Sequence, residues 1–230
     1  MTSACRAVSF GAVSLMGAQR GLFITLEGGE GAGKSTLSKG LAAHLRALGR
    51  EVMEPREPGA TPEGEAIRGL LLGPQAPAWT PLTETLMMYA ARASNLALVT
   101  RPALARGAIV VCDRFSDSTR AYQGYLHGVP LADIEALDRV VVGDTRPDLT
   151  FIVDLDPREG LKRTAARRGE TTRYDRAGLA VHDAIRAAFL DIAGKDPRRC
   201  VVLDGMLTPQ GLVEAASDAL AHRFGLGAPV

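Results

Sequence analysis

Cysteine, net charge and long apolar runs are all scarce in this chain of 230 residues, and each scarcity excludes a class of protein. Its 3 cysteines are odd in number and follow no ligand spacing, which disfavours a disulfide scaffold or a zinc site and favours a reduced, cytoplasmic protein. A formal net charge of +1 provides no overall attraction to nucleic acid or to an anionic membrane. No apolar run approaches the ~18 residues of a membrane span. We therefore expect a single soluble domain in which any binding of anions comes from local clusters of charge.

The most informative segment is Leu22–Leu37, where an apolar run leads into the pattern Gly28-x-x-x-x-Gly33-Lys34-Ser35 and then into a helical pattern. Glycines let backbone N–H groups turn inward around an anion, and the positive N-terminal end of the following helix adds to the attraction. Lys34 then reaches the outer phosphates of a nucleotide, and Ser35 supplies an oxygen to Mg²⁺. A simple glycine-rich turn is the structural alternative, but the flanking strand and helix favour a phosphate loop.

Strands and helices alternate along the chain, which predicts an α/β fold with a five-stranded parallel sheet and helices on both faces. Apolar runs predict strands at 22–27, about 51–55, 108–113, 149–154 and 200–204. The helical pattern after Lys34 stops at Gly49, a long helix is predicted from about 83 to 105, and Thr208-Pro209 begins a C-terminal helix. Residues 21–226 read as a single domain.

The first twenty residues differ in composition, because this stretch is rich in alanine, serine and glycine and carries only Arg6 as a charge before Gln19. A weakly apolar stretch from Val8 to Ala18 gives it a slight likeness to a signal peptide. One basic residue is a poor export signal, however, and export would separate a nucleotide-dependent enzyme from its phosphate donor. We predict that residues 1–20 are a disordered leader or a misplaced start, with Met16 as the alternative initiator.

Two features narrow the function of the phosphate loop. The single asparagine, Asn95, excludes the Asn-Lys-x-Asp box with which GTPase switches read guanine, so a GTP-driven switch is disfavoured. The segment from Lys162 to Arg176 carries six lysine or arginine residues against two acidic ones. Such a run is often only a solvated helix face. Beside a phosphate loop it is typical of a mobile lid, at about 161–176, whose guanidinium groups stabilise a phosphoryl group in transfer.

From Phe23 to about Phe224 the chain resembles the bacterial thymidylate kinases, which are P-loop nucleoside monophosphate kinases. The resemblance rests on motifs in order: Glu27-Gly-Gly-Glu-Gly-Ala-Gly-Lys-Ser, Arg56-Glu-Pro-Gly, Glu65-Ala-Ile-Arg68, Tyr89-Ala-Ala-Arg92, Asp113-Arg114-Phe115, Ala121-Tyr-Gln-Gly124, Arg146-Pro-Asp-Leu and the basic segment. It implies transfer of the γ-phosphate of ATP to dTMP, giving dTDP, with Mg²⁺ as cofactor and the enzyme as a homodimer. A kinase for another nucleoside monophosphate is the main alternative, and a catalytically inactive nucleotide-binding protein is a further one.

For ATP, the resemblance implies a site formed by the phosphate loop and the start of the next helix. Its residues are Gly28, Gly29, Glu30, Gly31, Ala32, Gly33, Lys34, Ser35 and Thr36. Ser35 and Asp113 are the implied magnesium residues, Asp113 through water, although a strand-end cap is the plain structural role for Asp113. Eukaryotic relatives place an arginine in the loop where this chain has Gly31, so the transition-state cations are implied to come from the lid. The implied catalytic residues are Lys34, Arg114, Arg163, Arg167 and Arg173, with Arg168 next.

For the sugar and phosphate of dTMP, the resemblance implies a set of charged residues. Glu30 would face the 3′-hydroxyl, and its alternative is an exposed loop carboxylate. Arg68 and Arg114 would clamp the 5′-phosphate, since the guanidinium fork meets two phosphate oxygens at once. An ordinary helix-surface position is the alternative for Arg68. Glu57 would be a further carboxylate of the acceptor site.

For the thymine base, the resemblance implies that Arg92 donates to a ring carbonyl while Thr119 and Gln123 complete the hydrogen bonds of the ring edge. An unpaired buried polar group costs about 1–3 kcal/mol, so a few such contacts discriminate between bases. Tyr122 would crowd the 2′ position, or else be a core aromatic. Met88 stands where the family usually has a phenylalanine that stacks on thymine, which leaves acceptor selectivity open, and a core position is its alternative.

Overall fold

The computed structural model describes residues 20–73, 75–166, 174 and 177–226. Its centre is one sheet of five strands, namely β1 Phe23–Glu27, β2 Val52–Met53, β3 Ile109–Asp113, β4 Leu149–Asp154 and β5 Cys200–Asp204. The strands lie in the order β2-β3-β1-β4-β5, and all neighbours are parallel. The predicted α/β fold is therefore confirmed. The second strand is shorter than predicted, because the chain leaves the sheet after Met53 and returns only through an isolated bridge between Arg56 and Asp113.

Helices fill the connections between the strands. The described residues form α1 Lys34–Ala47, α2 Pro62–Leu72, α3 Pro81–Asn95, α4 Arg101–Ala105, α5 Ser116–Thr119, α6 Leu131–Val141, α7 Pro157–Ala166, α8 Leu179–Lys195 and α9 Pro209–Phe224. Two π-helical segments, Leu96–Thr100 and Arg120–Leu126, follow α3 and α5. The helical stretch predicted over about 83–105 is confirmed, and within it the π segment separates α3 from α4. A π turn holds more residues than an α turn and so changes which side chains face the protein.

Side chains that alternate along the strands pack against helices on opposite faces of the sheet. Ile109 and Val111 belong to a buried cluster with the leucines of α1 and α9. Val110 and Cys112 pack on the other face, together with residues of α4. The helix α8 covers the same side further along, where Phe189 packs near Ile152 of β4. Each fully buried apolar side chain contributes about 1.5–3 kcal/mol, so these clusters fix the sheet on which the candidate site stands.

Helix ends follow the signals in the sequence. The helix α1 begins directly after Gly33, and Gly49, with φ +74°, ends it in the left-handed conformation. The hydroxyl of Thr208 accepts a hydrogen bond from the N–H of Gly211 at 3.1 Å, which caps α9 as predicted. Thr61 caps α2 in the same way.

Some predictions fall outside the described residues. The proposed leader lies there apart from Arg20, and so do Arg167, Arg168 and Arg173 of the predicted lid. Within the described part of the chain, no helix combines the length and apolarity that a bilayer crossing requires. The two cysteines described, Cys112 and Cys200, are buried as free thiols, as their apolar surroundings predict.

Candidate active site

A cavity of about 820 Å³ opens at the carboxyl edge of the sheet, beside the ends of β1 and β3. Open parallel sheets place their ligands at this edge. The structure brings most of the predicted site residues to its walls, namely Glu30, Gly31, Gly33, Lys34, Ser35, Thr36, Glu57, Arg68, Met88, Arg92, Asp113, Arg114, Thr119, Tyr122, Gln123 and Arg163. Gly28 and Gly29 lie instead against a smaller void behind the loop, and Ala32 is buried. Its volume lies within the range of about 300–1,000 Å³ that ligand pockets span.

The phosphate loop depends on glycine at the positions where its backbone turns. Gly28, Gly31 and Gly33 have φ values of +132°, +70° and +104°. A Cβ at Gly28 would lie 2.5 Å from the carbonyl oxygen of Val153. The backbone is therefore held close to the sheet while the loop curves around its own centre, as phosphate binding requires.

The ammonium group of Lys34 lies inside this curve. Its Nζ donates to the carbonyl oxygens of Gly28 at 3.0 Å and Gly29 at 2.7 Å. Burial, followed by the positive charge of Arg114, lowers the pKa of Lys34 to about 8, although Glu30 and Asp113 oppose that change. A phosphate group entering the loop would add negative charge and favour the protonated amine.

Ser35 and Asp113 lie side by side although 78 residues separate them, because β1 and β3 are neighbours in the sheet. The Ser35 hydroxyl donates to Oδ2 of Asp113 at 2.8 Å. Within the part of the chain that the structure describes, no group of three or more His, Cys, Asp or Glu residues forms a metal site. A hydroxyl and one carboxylate suit Mg²⁺, which usually takes one or two protein oxygens together with phosphates and water.

Arg114 forms an ion pair with Glu30 across the mouth of the loop. Its Nη2 donates to both carboxylate oxygens of Glu30 at 3.0 Å, and its Nη1 donates to the carbonyl of Gly28 at 3.2 Å. The Tyr122 hydroxyl donates to Glu30 at 2.7 Å, and the guanidinium carbon lies 5.1 Å from the centre of the Tyr122 ring. Burial opposes ionisation of Glu30, yet Arg114 and Lys34 lower its pKa to about 2. Glu30 is therefore an ionised acceptor at the cavity wall.

Glu27, at the end of β1, forms hydrogen bonds that fix the backbone next to Arg114. Its carboxyl accepts hydrogen bonds from the N–H of Phe115, the residue after Arg114, at 2.8 Å and from the hydroxyl of Ser118, which itself accepts from Nη1 of Arg114 at 3.2 Å. Arg114 itself has φ +70°, a conformation that non-glycine residues adopt only when their surroundings fix it. Burial, together with the negative charge of Asp117, raises the pKa of Glu27 to about 7. The sequence motif contains Glu27, but nothing in the sequence showed that its carboxyl turns back into the protein.

Arg92 and Glu57 form a fully buried ion pair, with side-chain exposures of 2% and 5%. Arg92 donates through Nε to Glu57 at 2.7 Å and through Nη2 to the Thr119 hydroxyl at 3.1 Å. The rings of Tyr89 and Phe115 lie 4.8 and 4.9 Å from its guanidinium carbon. Burial raises the pKa of Glu57, while Arg92 acts against that rise.

Two atoms of this pair are buried without a hydrogen-bond partner among the described residues, namely Nη1 of Arg92 and Oε1 of Glu57. Leaving such groups unpaired costs about 1–3 kcal/mol each. Both side chains line the cavity, so a ligand that accepts from Arg92 would recover part of this cost. The wall of the cavity therefore carries one hydrogen-bond donor and one acceptor that a ligand could pair.

Arg56 is an arginine of the cavity wall to which the sequence analysis assigned no role. Arg56 lines the cavity beside Arg68 and forms an ion pair with Glu65 at 3.0 Å. Arg68 donates through Nη1 to the carbonyl of Pro58 at 3.0 Å. Burial, followed by the charge of Arg56, lowers the pKa of Arg68. Two neighbouring cations at a cavity wall favour an anion between them. The position of Arg56 directly before Glu57 is the signal from which the sequence could have indicated it.

Gln123 reaches the cavity wall from the π segment Arg120–Leu126. Its Nε2 donates to Oε1 of Glu84 at 2.6 Å, and the Tyr174 hydroxyl donates to the same oxygen at 3.2 Å. Tyr174 lines the cavity and packs edge-on against Tyr122, with ring centres 4.8 Å apart. The sequence gave no reason to select Glu84, which reads as an ordinary acidic residue in the first turn of a helix.

Arg163 of α7 also lines the cavity and donates through Nη1 to the carbonyl of Gly205 at 3.0 Å. The loop Met206–Thr208 lines the cavity beside it, and sequence reasoning had assigned that loop no role. Met88 is half-buried and lines the same cavity.

Comparison with known proteins adds independent information. The family model described as thymidylate kinase matches residues 26–215. A thymidylate kinase of Caulobacter vibrioides is 50% identical over 207 residues, which are 90% of this chain and 99% of the relative. A thymidylate kinase of Pseudomonas fluorescens is 53% identical over 200 residues, which are 87% of this chain and 94% of the relative. The crystal structure of a thymidylate kinase from Ehrlichia chaffeensis superposes with a TM-score of 0.69 at 34% identity, covering 87% of this chain and 99% of that one.

Proposed function

The chain belongs to the thymidylate kinase family, and from that membership we propose that it transfers the γ-phosphate of ATP to dTMP, giving dTDP and ADP. ATP is the donor and dTMP is the acceptor. The observation that carries the assignment of the acceptor side is the unpartnered Nη1 of Arg92, buried at the wall of the same cavity as the phosphate loop.

On the donor side, the phosphate loop and Lys34 would bind the β- and γ-phosphates of ATP. The ammonium group of Lys34 lies inside the loop, where it donates to the carbonyls of Gly28 and Gly29. A bound nucleotide would offer phosphate oxygens to the same ammonium group. Ser35 and Asp113 would hold Mg²⁺, Asp113 through water, and their adjacency supports this role. When bound, Mg²⁺ supplies positive charge that offsets the negative charge of the phosphates.

On the acceptor side, Arg68 and Arg114 would bind the 5′-phosphate of dTMP, and Arg56 joins them. Glu30 would accept a hydrogen bond from the 3′-hydroxyl, because its low pKa keeps it ionised. The Tyr122 ring stands beside Glu30, where it would crowd a 2′-hydroxyl. Each assignment is supported by the position of the side chain at the cavity wall.

At the base, Arg92 would donate through Nη1 to a thymine carbonyl, with Thr119 and Gln123 at the same edge and Met88 against the ring. The ion pair with Glu57 and the two aromatic rings hold the guanidinium in place before the ligand arrives. Preorganisation of this kind reduces the entropy cost of binding.

The transfer itself would be direct and in line, without a covalent enzyme intermediate. The acceptor phosphate is already nucleophilic near neutral pH, since its second pKa is about 6, so no general base is required. Lys34 and Arg114 would neutralise the moving charge together with Arg163, Arg167 and Arg173 of the predicted lid. Of these three, Arg163 is described at the cavity wall.

The oligomeric state of the enzyme and its location in the cell are also proposals. A homodimer is supported by apolar side chains on the exposed side of the α3 region, where Leu82, Leu86 and Leu98 are about half exposed. A cytoplasmic location is supported by the need for ATP and by the buried free thiols.

The assignment is tested by an acceptor panel and one substitution. With ATP as donor, dTMP should be phosphorylated in preference to dUMP, dCMP, AMP and GMP. Arg92→Lys keeps a cation for Glu57 but removes Nη1, so the KM for dTMP should rise about tenfold or more while the KM for ATP stays within about twofold. Arg101→Lys, at an arginine of α4 that bonds to Thr145 and Val141, is the control and should change neither constant. Equal losses for both substrates in Arg92→Lys would contradict base reading by Arg92.

A further inference from the structure

The amide of Gln123 can be a reader of bases only if its orientation is fixed. Its NH₂ group donates and its carbonyl accepts, so a half-turn of the side chain reverses what it offers to a ligand. This matters at a pyrimidine edge, because N3 of thymine carries a hydrogen whereas N3 of cytosine is an acceptor. An amide free to turn would suit both bases.

Glu84 restricts this turn. Nε2 of Gln123 donates to Oε1 of Glu84 at 2.6 Å, and both side chains are only 2% exposed. A carboxylate offers acceptors alone, so turning the amide over would set its carbonyl against a carboxylate oxygen in buried surroundings. The Tyr174 hydroxyl donates to the same oxygen, and the first turn of α3 favours a negative charge. Both hydrogen bonds use Oε1 of Glu84 as the acceptor.

We infer that Glu84 is a positioning residue that turns the carbonyl of Gln123 toward the acceptor base and so helps to select thymine over cytosine. The inference rests on the proposed function, because it assumes that the base lies at Arg92. With Glu84 in place, the site offers Nη1 of Arg92 as a donor, the carbonyl of Gln123 as an acceptor and the hydroxyl hydrogen of Thr119 as a donor. This set matches the acceptor, donor and acceptor of the thymine edge, and two of its members mismatch cytosine.

The test is Glu84→Gln, which has nearly the same shape but can donate to the Gln123 carbonyl and so permits both orientations. The ratio of kcat/KM for dTMP to kcat/KM for dCMP should fall about tenfold, mainly because the KM for dTMP rises. The KM for ATP should not change. Glu214→Gln is a matched control, since Glu214 accepts from Nε2 of Gln210 at 3.0 Å in an exposed pair of the same chemistry. It should leave the ratio as in the wild type.

A double-mutant cycle shows whether Glu84 acts through Gln123. In a Gln123→Met background the amide is gone, so Glu84→Gln should then leave the ratio unchanged. The inference would be overturned if folded Glu84→Gln kept the wild-type ratio. It would also be overturned if Glu84→Gln lowered the ratio equally in the wild-type and Gln123→Met backgrounds. If Glu84→Gln does not fold, Glu84→Met, which removes the polar group, should narrow the ratio in its place and is judged by the same cycle. A wild-type enzyme without preference for dTMP over dCMP would instead overturn the base reading in the proposed function.

Discussion

The buried carboxyl of Glu27 should make the stability of the fold depend on pH, and Glu27→Gln should remove that dependence. The pKa of Glu27 is raised to about 7 from an ordinary value of 4.5, first by burial and then by Asp117. Between these values the folded chain keeps a proton that the unfolded chain has lost. The free energy of unfolding therefore falls as the pH rises through this window.

The size of the effect follows from the difference between the two pKa values. One pKa unit corresponds to about 1.4 kcal/mol, so ionising Glu27 in the folded state costs about 3 kcal/mol at pH 8 relative to pH 4.5. A domain of this kind has about 5–15 kcal/mol in total, so the loss is measurable. Glutamine keeps a carbonyl for the N–H of Phe115 and can donate to Ser118, so the substitution itself should cost little.

The assay is urea unfolding followed by circular dichroism at several pH values from 4.5 to 8. The difference between wild type and Glu27→Gln isolates one carboxyl, because Glu57, whose pKa is also raised, titrates in both proteins. The wild type should lose about 3 kcal/mol more than the variant across this range. Parallel stability curves for the two proteins would refute the reasoning.

Two further predictions concern the phosphate loop. Ser35→Ala should raise the Mg²⁺ concentration needed for half-maximal activity several-fold without changing the KM for dTMP, and an unchanged magnesium titration would argue against Ser35 as a ligand. Gly31→Ala should lower the free energy of unfolding by about 2–4 kcal/mol, because alanine is strained at φ +70° and its Cβ would lie 2.2 Å from the carbonyl oxygen of Gly160. Gly29→Ala, where a Cβ meets nothing within 4 Å, is the control, and equal losses in urea unfolding would contradict the steric argument.

Much of the fold could be predicted from the sequence because strands buried in a parallel sheet consist of consecutive apolar residues. The strands at 23–27, 149–154 and 200–204 agree with prediction to within a residue. The π segment Leu96–Thr100 could not be predicted, since the same apolar and polar spacing fits a regular helix and only packing decides between them.

The candidate site was predictable where function depends on local sequence and unpredictable where it depends on contacts between distant elements. Lys34 and Ser35 follow directly from the glycine pattern of the loop. The pairing of Glu57 with Arg92 joins residues 35 positions apart, and no local signal reveals it. Glu84 was missed for the same reason, because its partner Gln123 is 39 residues away on a different element.

The backbone contact between Gly31 and Gly160 restricts which residues both positions can hold. A Cβ at Gly160 would approach the carbonyl oxygen of Glu30 to 2.4 Å, so neither residue of the contact accepts a side chain while the other stays in place. An arginine at position 31 would therefore require α7 to move away from the phosphate loop. A ligand group directed at Gly31 from the side of α7 would likewise collide with the backbone at Gly160.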